Sequence, residues 1–139
     1  MDRESFFWQI QNDKLPAPKA ATTLGITIKA VLPEQGTIEV EFQGKPDFTN
    51  SAGNIQGGFL AAMLDDAMGP ALAATLGQGE FAPTLNLNVS FLRPAKVGAI
   101  QGKGQILKRG KEVCFLAGEL YQDGELIASA TATAIIRRL

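Results

Sequence analysis

From residue 24 onward most of the chain alternates between apolar and polar positions, and one long central segment does not. Ile26, Ile28 and Ala30, then Ile38, Val40 and Phe42, each line one face of a predicted strand, over residues 24–32 and 37–42. The turn Pro33-Glu34-Gln35-Gly36 separates them. The same period of two recurs over residues 84–92, 99–107, 113–121 and 126–136, and turns at Arg109-Gly110 and Asp123-Gly124 predict antiparallel hairpins among the last three. Residues 57–76 differ. They are rich in Ala and Met, lack β-branched side chains until Thr75 and stop before Gly77, so they predict the one long helix, with Pro70 expected to loosen or bend it. A shorter helix is expected over residues 4–12, where Phe6, Phe7 and Ile10 have helical spacing. Asp2 or Ser5 would cap it, and the two prolines of residues 15–18 end it. The order α-β-β-α-β-β-β-β describes an α+β protein with one antiparallel sheet. A helix this apolar must be buried, so the simplest architecture wraps the sheet around it.

Composition narrows the chemistry. The 139 residues are 45% hydrophobic and 19% charged, enough for one well-filled core, so residues 1–139 are expected to form one domain. Thirteen basic and 14 acidic residues leave a net charge of −1, which provides no basic face for nucleic acid. No apolar run is long enough to cross a bilayer, and the first ten residues mix acids with aromatics instead of forming a signal peptide. A cytoplasmic location is the expectation. There is no histidine, and Cys114 is the single cysteine. A Ser-His-Asp triad, a Cys-His pair, almost any zinc site and a disulfide within the chain are thereby excluded. Acid–base work at neutral pH falls to a carboxylate, a lysine, a tyrosine or an ordered water.

Asp65 then stands out as a carboxylate in an otherwise apolar helix. A helical wheel puts it with Ala61, Ala62, Met68, Gly69 and Leu72, and Asp66 about 100° further round with Ala62, Met63 and Ala73. An ionised carboxylate there is costly unless paired or used, although facing solvent or accepting hydrogen bonds from a neighbouring loop would also satisfy it. Gly57 and Gly58 begin the helix. Amides of a first turn have no intrahelical partner, and glycine lets a ligand come close to them. The pair suits an oxyanion site for a polarised carbonyl, and equally a tight loop-to-helix turn.

The run containing Asn50, Gly53, Gln56, Gly57, Gly58 and Asp65 resembles the signature of hotdog-fold thioesterases of the phenylacetate-degradation (PaaI-like) group: an Asn, a Gly, then His-Gly-Gly, and an acid nine residues after the His. Residues 86–98, including Asn88, Arg93, Pro94 and Gly98, look like that family's strand and turn after the helix, and residues 118–133 also look familiar. The likeness covers about residues 20 to 137. It implies a hotdog fold, a curved antiparallel sheet around a central helix, in subunits that pair through their sheets as a homodimer and further as a dimer of dimers. By position, Gly57 would give its N–H to a thioester oxygen and Asn50 would orient that carbonyl or the water. Asp65 of the opposite subunit would act as general base or as nucleophile. Thr84 falls where relatives place a Ser or Thr near the attacking water, although a β-branched residue also simply suits a strand start. The implied substrate is an acyl-CoA, small aryl or medium-chain, with coenzyme A entering as part of the substrate and no separate cofactor or metal. Burial beside the apolar face would raise the Asp65 pKa.

One position departs from the family pattern. Gln56 stands where the His is usual. Its amide still donates a hydrogen bond to a carbonyl but cannot titrate. Gln56, Gly58 and Phe59 are expected to touch substrate. Arg93, Lys96, Lys108, Arg109 and Lys111 lie in strand-end turns, where the resemblance implies contacts with coenzyme A phosphates; ordinary solvated charge is the competing reading. Phe59, Leu60, Met63, Met68 and Phe81 would line an acyl tunnel or simply form core. Cys114 reads as a small apolar strand residue, and Phe6, Phe7 and Trp8 as packing for the N-terminal helix. The alternatives to an enzyme are a non-catalytic hotdog that binds acyl-CoA or another apolar ligand, and a bare dimerisation module. The second leaves the residues from Asn50 to Asp65 unexplained.

Overall fold

The computed structural model describes residues 2–139. Three α-helices, α1 (Phe6–Gln11), α2 (Lys19–Leu24) and α3 (Gly57–Ala73), accompany the strands β1 (Thr27–Leu32), β2 (Thr37–Gly44), β3 (Glu80–Phe81), β4 (Thr84–Phe91), β5 (Gly98–Arg109), β6 (Val113–Gln122), β7 (Glu125–Ile135) and β8 (Arg137–Arg138). Six strands form one antiparallel sheet in the order β1-β2-β5-β6-β7-β4, and β3 pairs separately with β8. This is the expected hotdog arrangement, with α3 packed along the inner face of the sheet.

The period of two decides which face is inner. On β2, Ile38, Val40 and Phe42 are buried while Glu39 is exposed, and on β7 Ala128, Ala130, Ala132 and Ala134 are buried. Against them α3 buries Leu60, Met63, Leu64, Ala67, Met68, Ala71 and Leu72. Each large side chain contributes about 1.5–3 kcal/mol on burial. Glycine sets how close the helix comes. A side chain starting at Gly104 would lie 2.3 Å from the Ala67 carbonyl oxygen, and one at Gly118 would lie 2.8 Å from Met68 Cγ. The helix backbone therefore rests almost directly on β5.

The ends of α3 are tied down differently. α3 runs through Pro70, which has no N–H to give the Asp66 carbonyl. At the C-terminal end Trp8 Nε1 donates to Ala74 O (3.0 Å), and Arg109 donates to Thr75 Oγ1 (2.9 Å) and Thr75 O (3.3 Å). A cation at this end also suits the helix dipole. Phe7 is buried and meets Trp8 edge to face, so the aromatic N-terminus packs α1 onto the body.

Several boundaries differ from the sequence reading. The strand expected over residues 24–32 begins at Thr27, because residues 19–24 form α2, which Gly25 ends in the left-handed region (φ 66°). The long helix ends at Ala73 instead of Leu76. The short pairing of β3 with β8 and a 3-10 turn over Pro46–Phe48 were not anticipated. The turn at Asp123-Gly124 is as expected: both residues have positive φ (52° and 79°), which fits a tight two-residue hairpin.

Candidate active site

Asp65 lies on the outward side of α3 and is exposed in the protomer. Its exposed or half-exposed neighbours are Gly58, Ala61, Ala62 and Gly69, and positions 58 and 69 face open space. Met68 and Leu72 are fully buried, so they do not share its face as the wheel suggested. The small-residue strip beside the carboxylate is real, and its apolar flank belongs to the core. The burial expected for Asp65 falls on Asp66 instead.

A β-bulge gives Asp65 its partner. Along β4, Leu87 pairs with the buried Ala132 and Asn86 with Thr133, whereas Thr84 pairs with the buried Ala134. The register slips by one residue between Thr84 and Asn86, with Leu85 as the extra residue. Such a bulge re-aims a side chain, and here it turns Thr84 toward the helix. Thr84 Oγ1 donates to Asp65 Oδ1 at 2.8 Å. The two residues are therefore brought together within one protomer.

At the other end of the helix, Gln56 has extended backbone (φ −63°, ψ 141°), its side chain makes no capping bond and it is exposed. Its carbonyl accepts the first helical bonds, from Phe59 N–H (3.0 Å) and Leu60 N–H (3.3 Å). The amides of Gly57 and Gly58 precede those bonds and point off the helix end. Hydrogen bonds hold the loop before them. Asn50 Oδ1 accepts from the amides of Ala52 (3.0 Å) and Asn54 (3.2 Å), Gln56 N–H donates to Phe48 O (2.8 Å), and Ile55 N–H donates to Ala95 O (2.8 Å). The Asn50 oxygen thus shapes the loop. Phe59 stacks on Phe48 (4.2 Å between centroids).

Asp66, the next residue, has a shifted titration. Burial chiefly, and the charge of Asp65 beside it, push its pKa from 3.8 to about 6. Its Oδ2 is sealed from solvent with no hydrogen-bond partner among the described residues.

The basic residues do not gather in one place. Arg93 and Lys96 sit beyond β4, where Arg93 donates to Leu126 O (2.8 Å) and pairs with Glu125 (3.5 Å), and Lys96 Nζ donates to Asn54 Oδ1 (2.9 Å). Lys108, Arg109 and Lys111 lie at the far end of β5, with Arg109 committed to Thr75. A strand of that length spans on the order of 36 Å, so one protomer cannot direct both groups at one nucleotide. Leu60, Met63 and Met68 are core, Phe81 is exposed in β3, and Cys114 is buried in β6.

The sequence reading missed two residues. Gln122 is a buried amide whose Oε1 accepts from Lys96 N–H (2.8 Å) and whose Nε2 donates to Lys96 O (2.8 Å) and Ala99 O (3.3 Å), which fixes the turn after β4. Phe91 lies against Gly57, and its place on the helix-facing side of β4 was readable from Leu87 and Val89. A concavity of about 720 Å³ lies elsewhere, on the outer face of the sheet around Glu39, Lys103 and Glu119.

Residues 52–129 match the family model of the thioesterase superfamily, a span that includes Gly57, Asp65 and Thr84. The chain belongs to the thioesterase superfamily. Its class of chemistry is thioester hydrolysis. Within that superfamily it is 30% identical over 111 residues to human acyl-coenzyme A thioesterase 13, which covers 78% of this chain and 77% of the relative. A phenylacetic acid degradation-related protein of Ralstonia eutropha JMP134 superposes with a TM-score of 0.92 at 45% identity, covering 94% of this chain and 98% of the other. The PaaI protein of the E. coli phenylacetic acid degradation operon shares the fold, with a TM-score of 0.80 at 22% identity over 96% and 93% of the two chains. No helix among the described residues is long and apolar enough to cross a membrane.

Proposed function

We propose that this thioesterase hydrolyses a small aryl- or medium-chain acyl-CoA to the free acid and coenzyme A, with Asp65 as general base or nucleophile and the Gly57 N–H as oxyanion donor. The observation that carries the reading is the pairing of Asp65 with Thr84 on a helix face otherwise lined by small residues. A hydroxyl that donates to one carboxylate oxygen leaves the other free to act and fixes the rotamer.

In the base route Asp65 takes a proton from water as the water oxygen attacks the thioester carbon. The oxyanion forms against the Gly57 amide, and collapse expels the coenzyme A thiolate, which takes up the proton. In the nucleophile route an Asp65 oxygen attacks instead, giving a mixed anhydride that water opens. Both consume one water and yield acid and thiol. A thiol leaving group with a pKa of about 8.5 needs no strong acid, which suits a site without histidine.

The working unit we propose is a homodimer whose active sites each draw on both subunits, associating further as a dimer of dimers. Support comes from β4, which among the described residues pairs only with β7 and leaves its other edge free, and from its exposed Leu85 and Phe91. To Gln56, Gly58, Phe59 and Asn50 we assign contacts with substrate or water. Arg93, Lys108 and Arg109 remain candidates for the nucleotide phosphates, from opposite ends of the fold. Coenzyme A enters as part of the substrate, and the steps as written need no cofactor. Coenzyme A esters are intracellular metabolites, so we place the protein in the cytoplasm.

Thiol release from a panel of acyl-CoAs tests the reading. Asp65→Asn should lose at least ~10²-fold in kcat, as removal of a general base does. Activity that survives Asp65→Asn and disappears in Asp66→Asn would move the chemistry to the neighbouring acid. Saturable acyl-CoA binding with no turnover on any ester would favour a non-catalytic binding protein.

A further inference from the structure

Phe91 is the last residue of β4, on the side that faces α3 with Leu87 and Val89. That side is the buried one elsewhere in the sheet, yet Phe91 is 54% exposed. Its ring is not free. Cζ and Cε1 stand 3.1 and 3.2 Å from the point where a side chain on Gly57 would begin, so the ring fills the space this glycine leaves under the first turn of α3. The next residue, Gly58, faces open space. The strand end is held firmly, since the amides of Leu92 and Arg93 both donate to Ile127 O (2.9 and 3.1 Å). Phe91 is thus an aromatic wall, with one part against Gly57 and the rest open beside the amide assigned to the thioester oxygen.

We propose that Phe91 is a specificity-determining residue that closes the apolar end of the acyl pocket, admitting short or single-ring acyl groups and excluding long chains. The proposal rests on the thioesterase reading and deepens it. An acyl group whose carbonyl oxygen reaches the Gly57 amide is bonded to a carbon within one or two bond lengths of that oxygen, so its first atoms must pass close to this ring. An aryl group gains an edge or stacked contact there. A long chain meets the ring where it lies against Gly57. Truncation would remove the ring from that path.

The test measures kcat/KM of the full chain on butyryl-, benzoyl- and dodecanoyl-CoA for wild type, Phe91→Leu and Phe91→Ala. In Phe91→Ala the dodecanoyl-to-benzoyl ratio should rise at least ~10-fold, the lower end of what one methylene's worth of pocket space produces. Phe91→Leu should move the ratio the same way by less, and decides the matter if the alanine variant fails to fold. A ratio unchanged within about twofold in the folded variants, or a wild type that already prefers dodecanoyl-CoA, overturns the proposal. A wild type that turns over none of the three esters, or any other acyl-CoA, overturns the thioesterase reading and this proposal with it.

Discussion

A buried carboxyl without a partner works against the folded state, and Asp66 allows that cost to be measured. Burial, and secondarily the neighbouring charge of Asp65, raise its pKa from 3.8 to about 6. The folded protein therefore holds this proton more tightly than the unfolded chain does. The resulting stabilisation is complete below pH 3.8 and is lost as pH rises through about 6. At about 1.36 kcal/mol per pK unit, a shift of about two units is worth about 3 kcal/mol in full, and about 1–2 kcal/mol once the part of the carboxyl that water reaches is discounted. Asp66→Asn removes the titration and keeps the shape. Urea unfolding of both proteins, at equal protein concentration so that self-association does not enter, is read from about pH 4 to pH 8. The stability difference, variant minus wild type, should grow by about 1–2 kcal/mol across the window and level off above about pH 7. Its absolute value includes the cost of burying an amide, but that cost does not titrate. A difference that stays constant with pH would mean that Asp66 is solvated or paired in the protein, and the argument from burial would fall.

Thr84→Val keeps the β-branched shape and deletes the donor to Asp65; kcat should fall about 10-fold while thermal stability changes little, as steady-state kinetics beside a melting curve would show. Gly104→Ala forces a methyl group against the Ala67 carbonyl, so α3 must lift from β5; a loss of at least about 2–3 kcal/mol in urea unfolding is expected.

The sequence disclosed the strands better than it disclosed the helix face. Alternation reports burial directly, which is why Ile38, Val40 and Phe42 fell where expected and the hairpins among the last three long strands could be drawn. Residues 57–73 are apolar nearly all round, so their own pattern does not say which side meets the sheet. That orientation is set from outside, by Gly104 and Gly118 on the strands, and Met68 and Leu72 were misplaced for this reason. Thr84 was found by resemblance, whereas its aim depends on the bulge at Leu85, a one-residue slip that pairing reveals and composition does not. The basic residues seemed grouped because they share turns, but the length of β5 separates them. Asp66 looked equivalent to Asp65 in sequence. Packing makes one carboxyl open and hydrogen-bonded and seals one oxygen of the other.

Helix geometry bears on the proposal that a second copy completes the site. Eight residues separate Gly57 from Asp65, about 12 Å along the axis. An oxyanion donor must lie about 3 Å from the thioester oxygen, and the base must reach a water attacking the same carbon. One helix cannot bring both its first-turn amide and its own Asp65 to one carbonyl. A two-fold axis can. β4 carries Thr84 at one end and Phe91 at the other, and its outer edge is unpaired. Antiparallel pairing of two β4 edges about their midpoint would set Thr84 of each copy opposite Phe91 of the other. Asp65 comes with Thr84, and Gly57 with Phe91, because each pair is already in contact within the protomer. The same operation would bring the base of one subunit toward the oxyanion amide of the other, twice per dimer, using contacts that each chain already holds in place.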